Sequence, residues 1–429
     1  MSAAASRVIR LHRQAARITG PVGVRTPPPL GLYVHLPWCV RKCPYCDFNS
    51  HELRDAPGDL PESAYLDALE ADLDWSVPLV WGRTVHTVFI GGGTPSLFSA
   101  QGIDRLLALV RSRLRLAADA EITMEANPGT FERERFRGFA QAGVNRLSLG
   151  VQSFSDRALS AIGRIHGGAE ARHALEQALA IFPRVNVDLM YALPGQSLTE
   201  LETDLDIVRS LAVSHLSIYH LTLEEGTAFA RRPPSVPDED LADQMQALID
   251  QHTEAMGLIR YEVSALARPG QAARHNLNYW QFGDYLGLGA GAHGKLSFHD
   301  RVIRQARLRN PRKYMAALAA SAAGGAVADA AGALPVAPWI ETARIVEASD
   351  LPFEFMLNAL RLREGVSAAL FAERTGLDLV SIRPALDQAV RRGLLATDPE
   401  RLLATPLGWQ HLNDLQSLFL PDSVEANPH

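Results

Sequence analysis

From Leu30 to Leu223 the chain alternates short apolar runs with longer amphipathic stretches. The runs are GLYVHL (31–36), HTVFIGG (86–92), EITMEA (121–126), RLSLGV (146–151), VNVDLMYAL (185–193) and HLSIYHL (215–221). Their length and their Val, Ile, Leu and Tyr content suit strands buried on both faces. Between them, 63–76, 100–115, 131–142, 169–182 and 198–212 place apolar residues on one helical face. Strands separated by helices of that length predict βαβ units and a parallel sheet. Six units without a clear seventh and eighth predict an α/β fold over 29–225, an incomplete (β/α)6 TIM-like barrel. An open doubly wound sheet is the competing arrangement. In both, chemistry belongs at the C-terminal ends of the strands.

Downstream, a long helix at 238–257 and a strand YEVSALA (261–267) open a barrel-completing region, 226–315, which also holds RHNLNYW and GLGAGAHG. The Ala/Gly-rich segment 316–338 reads as a linker. Residues 339–425 carry short helical patterns and then LLATDPERLLATPLG, a hairpin with its turn at Asp398-Pro399. That order predicts a winged-helix-like C-terminal domain. Such domains often bind DNA, yet residues 339–429 hold thirteen acids against eight arginines and no lysine. Phosphate binding needs the opposite sign, so a packing or partner module is expected and no nucleic acid.

The net charge of −6 supplies no global basic field. No apolar run reaches the roughly 18–20 residues of a membrane span, so no stable membrane insertion is expected. Residues 1–28 carry five arginines (Arg7, Arg10, Arg13, Arg17, Arg25) and no acid. They read as a basic, disordered tail on a cytoplasmic protein; organellar targeting is the alternative for such a composition.

The chemistry begins with cysteine. All three in the chain, Cys39, Cys43 and Cys46, fall within HLPWCVRKCPYC directly after the first strand, spaced C-x3-C-x2-C. An odd, clustered set is a ligand set rather than a disulfide framework. Arg41 and Lys42 beside it favour thiolate over thiol. Two readings compete: a zinc tetrahedron completed by His35, and an iron–sulfur cluster. Three thiolates on a four-iron cubane leave one iron open for a ligand. Further motifs sit at successive strand ends: GGGTPS (91–96), Glu125 in MEANPG, Gln152 in GVQSF with Arg164 twelve residues on, and Asp188 in NVDLMYALPGQ. GLGAGAHG contains G-x-G-x-x-G at Gly289, Gly291 and Gly294 but lacks the βαβ setting and downstream acid of a dinucleotide fingerprint.

With Tyr45 before the last cysteine, the C-x3-C-x2-C run resembles the signature of radical S-adenosylmethionine proteins. LYVHLPWCVRKCPYCDFNSH resembles, more narrowly, the HemW haem-chaperone family, related to oxygen-independent coproporphyrinogen III dehydrogenase. The resemblance covers nearly the whole chain after about residue 30 and includes the C-terminal module. It implies a [4Fe-4S] cluster on Cys39, Cys43 and Cys46, S-adenosylmethionine on the unique iron, and an electron donor if the cluster is redox-active. It implies cofactor contacts from Tyr33, Tyr45, Gly92, Gly93, Thr94, Glu125, Gln152, Arg164, Asp188 and Thr222. HNLNYW (275–280) matches the H-N-x-x-Y-W signature of the family, making His275, Asn276, Tyr279 and Trp280 candidates for haem: an imidazole for iron and flat rings for the macrocycle. His35, His220 and His293 are rival imidazoles. The dehydrogenases carry a fourth cysteine where this chain has Phe48, and a longer arm than the 38 residues ahead of Cys39. The implied function is therefore binding haem and passing it to an acceptor protein; the alternative is oxidative decarboxylation of coproporphyrinogen. Whether S-adenosylmethionine is cleaved stays open on this reading.

Overall fold

The computed structural model describes residues 23–53, 60–129, 132–321, 327–328 and 334–421. Most of the expected basic tail, including Arg7, Arg10, Arg13 and Arg17, lies outside them, as does much of the expected linker.

Six parallel strands follow one another across the sheet in chain order: β1 (Leu30–Leu36), β2 (Thr84–Gly92), β3 (Arg115–Ala126), β4 (Arg146–Gln152), β5 (Arg184–Tyr191) and β6 (His215–His220). The crossovers are α1 (Glu62–Ser76), α2 (Ala100–Arg113), α3 (Glu132–Ala142), α4 (Asp156–Ala161) with α5 (Gly168–Ile181), and α6 (Leu198–Ser210). Local chemistry sets their starts. Ser99 accepts the Gly102 N–H ahead of α2, and Ser197 forms a reciprocal capping box with Glu200 at α6. Outside the strands, α1 packs on α2, α2 on α3, and α3 on α5.

Period-2 alternation explains how one strand serves a core and a lumen. In β4, Leu147, Leu149 and Val151 enter the main hydrophobic core, while Arg146, Ser148, Gly150 and Gln152 line an internal cavity. In β5, Val185, Val187 and Leu189 face the core, and Asn186, Asp188 and Met190 the cavity. Each leucine or valine so buried contributes about 1.5–3 kcal/mol.

The rest of the sheet is added at both edges. After α7 (Ala228–Arg231) and α8 (Glu239–Ala255), β7 (Ile259–Arg260) and β8 (Ala265–Ala267) pair antiparallel, with β8 also on β6. The single strand expected at 261–267 is thus interrupted. The Tyr261 N–H donates to the Ala265 carbonyl (3.1 Å), and the chain turns back on itself. RHNLNYW forms α9 (Arg274–Trp280), whose first N–H groups, of Arg274 and His275, donate to the Glu121 carboxylate (3.1 and 3.0 Å). Next, β9 (Asp284–Leu288) lies parallel to β1 on its other side, a seventh parallel strand. β10 (His293–Ser297), β11 (Val302–Arg307) and, after α10 (Pro311–Ser321), β12 (Ile340–Ile345) extend that edge antiparallel. The glycine-rich run is the β9–β10 turn. Gly291 has φ +80°, and a Cβ there would lie 2.2 Å from Asn49 Nδ2. The result is an incomplete TIM-like barrel with an antiparallel flap on each side.

The C-terminal domain has winged-helix order: α11 (Leu351–Ala359), Val366–Ser367, α12 (Ala368–Thr375), α13 (Arg383–Arg391), and a hairpin returning through Arg401–Leu402 to pair with Val366–Ser367. It has its own core around Phe355 and Phe371. Glu354 fastens it to the sheet by accepting from Arg304 (2.8 Å) and Arg344 (2.7 Å).

Candidate metal and nucleotide site

The three cysteines sit on a loop closed at its base by pairing of Trp38–Cys39 with His51–Glu52. Lys42 donates to the carbonyls of Phe48 (3.0 Å) and Ser50 (3.3 Å), so it staples the loop rather than facing the thiols as expected. Arg41 lines the cavity with the cysteines, and a further cation comes from elsewhere: Arg164 Nη1 lies 3.9 Å from Cys43 Sγ. Thr94 donates to Cys39 Sγ (3.5 Å), and Ser50 Oγ lies 3.7 Å from Cys46 Sγ. All three thiols are unpaired and half-buried.

This donor set decides between the two metal readings. His35 cannot complete a zinc tetrahedron as placed. Its Nδ1 accepts from the Tyr33 hydroxyl (2.8 Å), and its Nε2 donates to the Asn49 carbonyl (2.9 Å). Among the described residues no three His, Cys, Asp or Glu side chains converge on a point suited to one ion. Three thiols spread around a cavity, with no fourth protein ligand, fit a multinuclear cluster with an open position.

That cavity, about 400 Å3, is also lined by Tyr45, Gly92, Gly93, Thr94, Glu125, Gln152, Arg164, Asp188 and Thr222. Nine of the ten nucleotide candidates therefore meet in one space with the cysteines. Tyr33 does not; it lines a neighbouring cavity. Gly92 holds φ +123°, and a Cβ on it would press within 2.7 Å of the His35 ring. Its N–H donates to Glu125 Oε2 (3.0 Å). Glu125 is half-buried, and desolvation followed by the nearby Asp188 pushes its pKa up to about 7, the Gly92 N–H acting in the other direction. Burial likewise raises Asp188, which accepts from Ser148 (3.0 Å) and Asn186 (2.8 Å). Gln152 sits at φ +68°, a conformation costing a non-glycine residue about 1–2 kcal/mol and typical of functional strand ends. Thr222 donates to Glu224.

Arg164 Nη2 is already committed to the Gly150 carbonyl (2.6 Å) and to Asn127 Oδ1 (2.7 Å), while its Nε is buried without a partner. Asn127 in turn donates to Thr94 (2.9 Å), so it ties the arginine to the threonine that contacts Cys39. Sequence reasoning passed over Asn127 although it lies in the quoted MEANPG. It also missed the inward ladder Arg146, Ser148, Asn186 and Ser217; strict alternation within those apolar strands was the available signal.

The structure does not bring the four haem candidates onto one surface. His275 is 2% exposed against the inner face of β2, stacked on Phe89, with Nδ1 2.8 Å from Thr87 Oγ1 and Nε2 3.1 Å from the Tyr279 hydroxyl. Burial, then Arg146, pushes its pKa down to about 3. Asn276 lines the main cavity and Tyr279 the neighbouring one. Trp280 packs beneath Arg361 of the C-terminal domain, 4.3 Å from guanidinium to ring. Of the rival imidazoles, His220 lines the main cavity, while His35 and His293 line its neighbour.

Comparison with known proteins agrees with this geometry. Residues 33–208 match the radical SAM superfamily, and residues 346–411 match the HemN C-terminal domain. The heme chaperone HemW of Escherichia coli strain K12 is 47% identical over 92% of this chain and 99% of its own length. That of Haemophilus influenzae is 40% identical over the same shares. The structure of coproporphyrinogen III oxidase (HemN) from Escherichia coli, a radical SAM enzyme, superposes with a TM-score of 0.74 at 22% identity, covering 92% of this chain and 90% of that one, a likeness of fold. With the cysteine loop, the lumen residues and the C-terminal module all in place, the chain belongs to the HemW family of radical SAM proteins.

Proposed function

We propose that this protein binds haem and hands it to an acceptor protein, holding a [4Fe-4S] cluster on Cys39, Cys43 and Cys46 with S-adenosylmethionine exchangeable at the open iron. One observation carries the nucleotide half of this reading: nine residues from the cysteine loop, the strand ends and the loops after them line one cavity with the three thiols. When bound, the cluster would supply one electron to a sulfonium. The residues' own parts follow from their chemistry. Glu125 accepts hydrogen bonds from ribose hydroxyls, the glycines at 91–93 let the cofactor approach main-chain groups, and Arg164 holds positive charge beside Cys43. The haem half is supported by its relatives, heme chaperones at 47% and 40% identity. Free thiols suit a reducing, cytoplasmic setting.

The test is anaerobic reconstitution followed by three additions. S-adenosylmethionine should alter the electron paramagnetic resonance spectrum of the reduced cluster, and haemin should bind with a defined Soret band. Coproporphyrinogen should be returned unchanged. Its decarboxylation would replace this reading with the dehydrogenase, and failure to bind haemin would remove it.

A further inference from the structure

We propose that haem sits in the neighbouring cavity with His293 as its iron ligand, a placement that rests on the haem-binding function above.

That cavity, about 590 Å3, lies between β1 and the antiparallel flap and falls within the roughly 300–1,000 Å3 usual for cofactor sites. His293 opens β10 immediately after the glycine turn. It is exposed and lines the cavity, and its imidazole makes no hydrogen bond or ion pair among the described residues. Burial, then Arg304 and Arg309, lowers its pKa, so the ring is neutral near pH 7, the form that binds iron. The other imidazole on the cavity wall, His35, has both nitrogens engaged. The phenols are engaged too: Tyr285 accepts from Arg304 (2.7 Å), and Tyr279 bonds His275.

The walls suit a porphyrin. Tyr279 and Tyr285 stand edge to face, 4.5 Å apart, and Phe48 lies across the opening with 62% of its surface exposed. Arg309 lines the same cavity with a side chain that makes no ion pair among the described residues, a partner for a propionate. The acids there, Asp47, Glu125 and Glu341, direct the propionate edge to the Arg309 side. An open, solvent-facing rim is what releasable cargo needs.

The experiment titrates haemin into cluster-reconstituted wild type, His293→Ala, His293→Gly and His275→Gln. We expect His293→Ala to lose at least about ten-fold in affinity together with the imidazole-ligated Soret and visible bands. Added imidazole should restore those bands in His293→Gly, and His275→Gln should keep them. His293 carries no structural bond, so folding is not at stake, and cluster content checks it. If wild type binds haemin and His293→Ala matches it in affinity and spectrum, the ligand assignment is wrong. If wild type binds none, the haem reading itself falls.

Discussion

Glu125 concentrates the electrostatics of the main cavity in one side chain. It is half-buried, it accepts an N–H from Gly92, and its titratable neighbours are Asp188, Tyr33 and Tyr219. A carboxyl raised from 4.5 to about 7 favours its neutral form in the ligand-free fold. That contribution to stability is complete below the unfolded value and is lost as pH rises through about 7. Ribose hydroxyls reverse the preference, because they donate best to the ionised form. S-adenosylmethionine affinity should therefore climb between pH 6 and 8, and Glu125→Gln should bind roughly ten-fold more weakly with that slope abolished. Calorimetric titration across the range checks this; a variant retaining the wild-type slope would assign the titration to another group.

Among the elements, the β9–β10 turn links glycine chemistry to the metal loop. Asn49 donates to the carbonyls of Ala290 (2.9 Å) and Arg309 (3.0 Å), pinning the end of the cysteine loop to the flap. Gly291→Ala adds a methyl against Asn49 at a left-handed position. It should cost about 1–3 kcal/mol and lower the iron retained per chain after reconstitution. Full iron loading in a destabilised Gly291→Ala would uncouple turn from loop. The six strand–helix units were legible in sequence because both periods were strong over their length, and the cysteine motif because its spacing is rare. The flap was not. β9 reads as DYLGL between glycines, too short and Gly-broken to reveal a seventh parallel strand. RHNLNYW is seven residues long, with too few turns to show a helical period, so its four candidate side chains could be taken as one patch. On the helix, 275 with 279 and 276 with 280 stand one turn apart; His275 and Tyr279 bond each other, while Asn276 meets the main cavity and Trp280 the Arg361 guanidinium.

At the scale of the molecule, one buried carboxylate joins the barrel to the flap. Asp72 on α1 accepts from Arg307 of β11 (3.1 Å), the Tyr314 hydroxyl of α10 (2.7 Å) and Trp339 Nε1 just before β12 (3.2 Å), with both Asp72 and Arg307 fully buried. Removing the acid strands the guanidinium, so Asp72→Ala should lose about 3–5 kcal/mol in denaturant unfolding. A loss below about 1 kcal/mol would mean that water replaces the carboxylate.

The two cavities also share a wall: Asp47, Phe48, Gly92 and Glu125 belong to both. On the placements proposed above, so thin a partition would couple the occupants of the two chambers. Thermodynamic reciprocity then demands that S-adenosylmethionine change the haem dissociation constant by the same factor by which haem changes that of S-adenosylmethionine. A factor above one would let cargo and nucleotide report each other's presence without any radical being made; a factor of one in both directions would make the wall an inert divider.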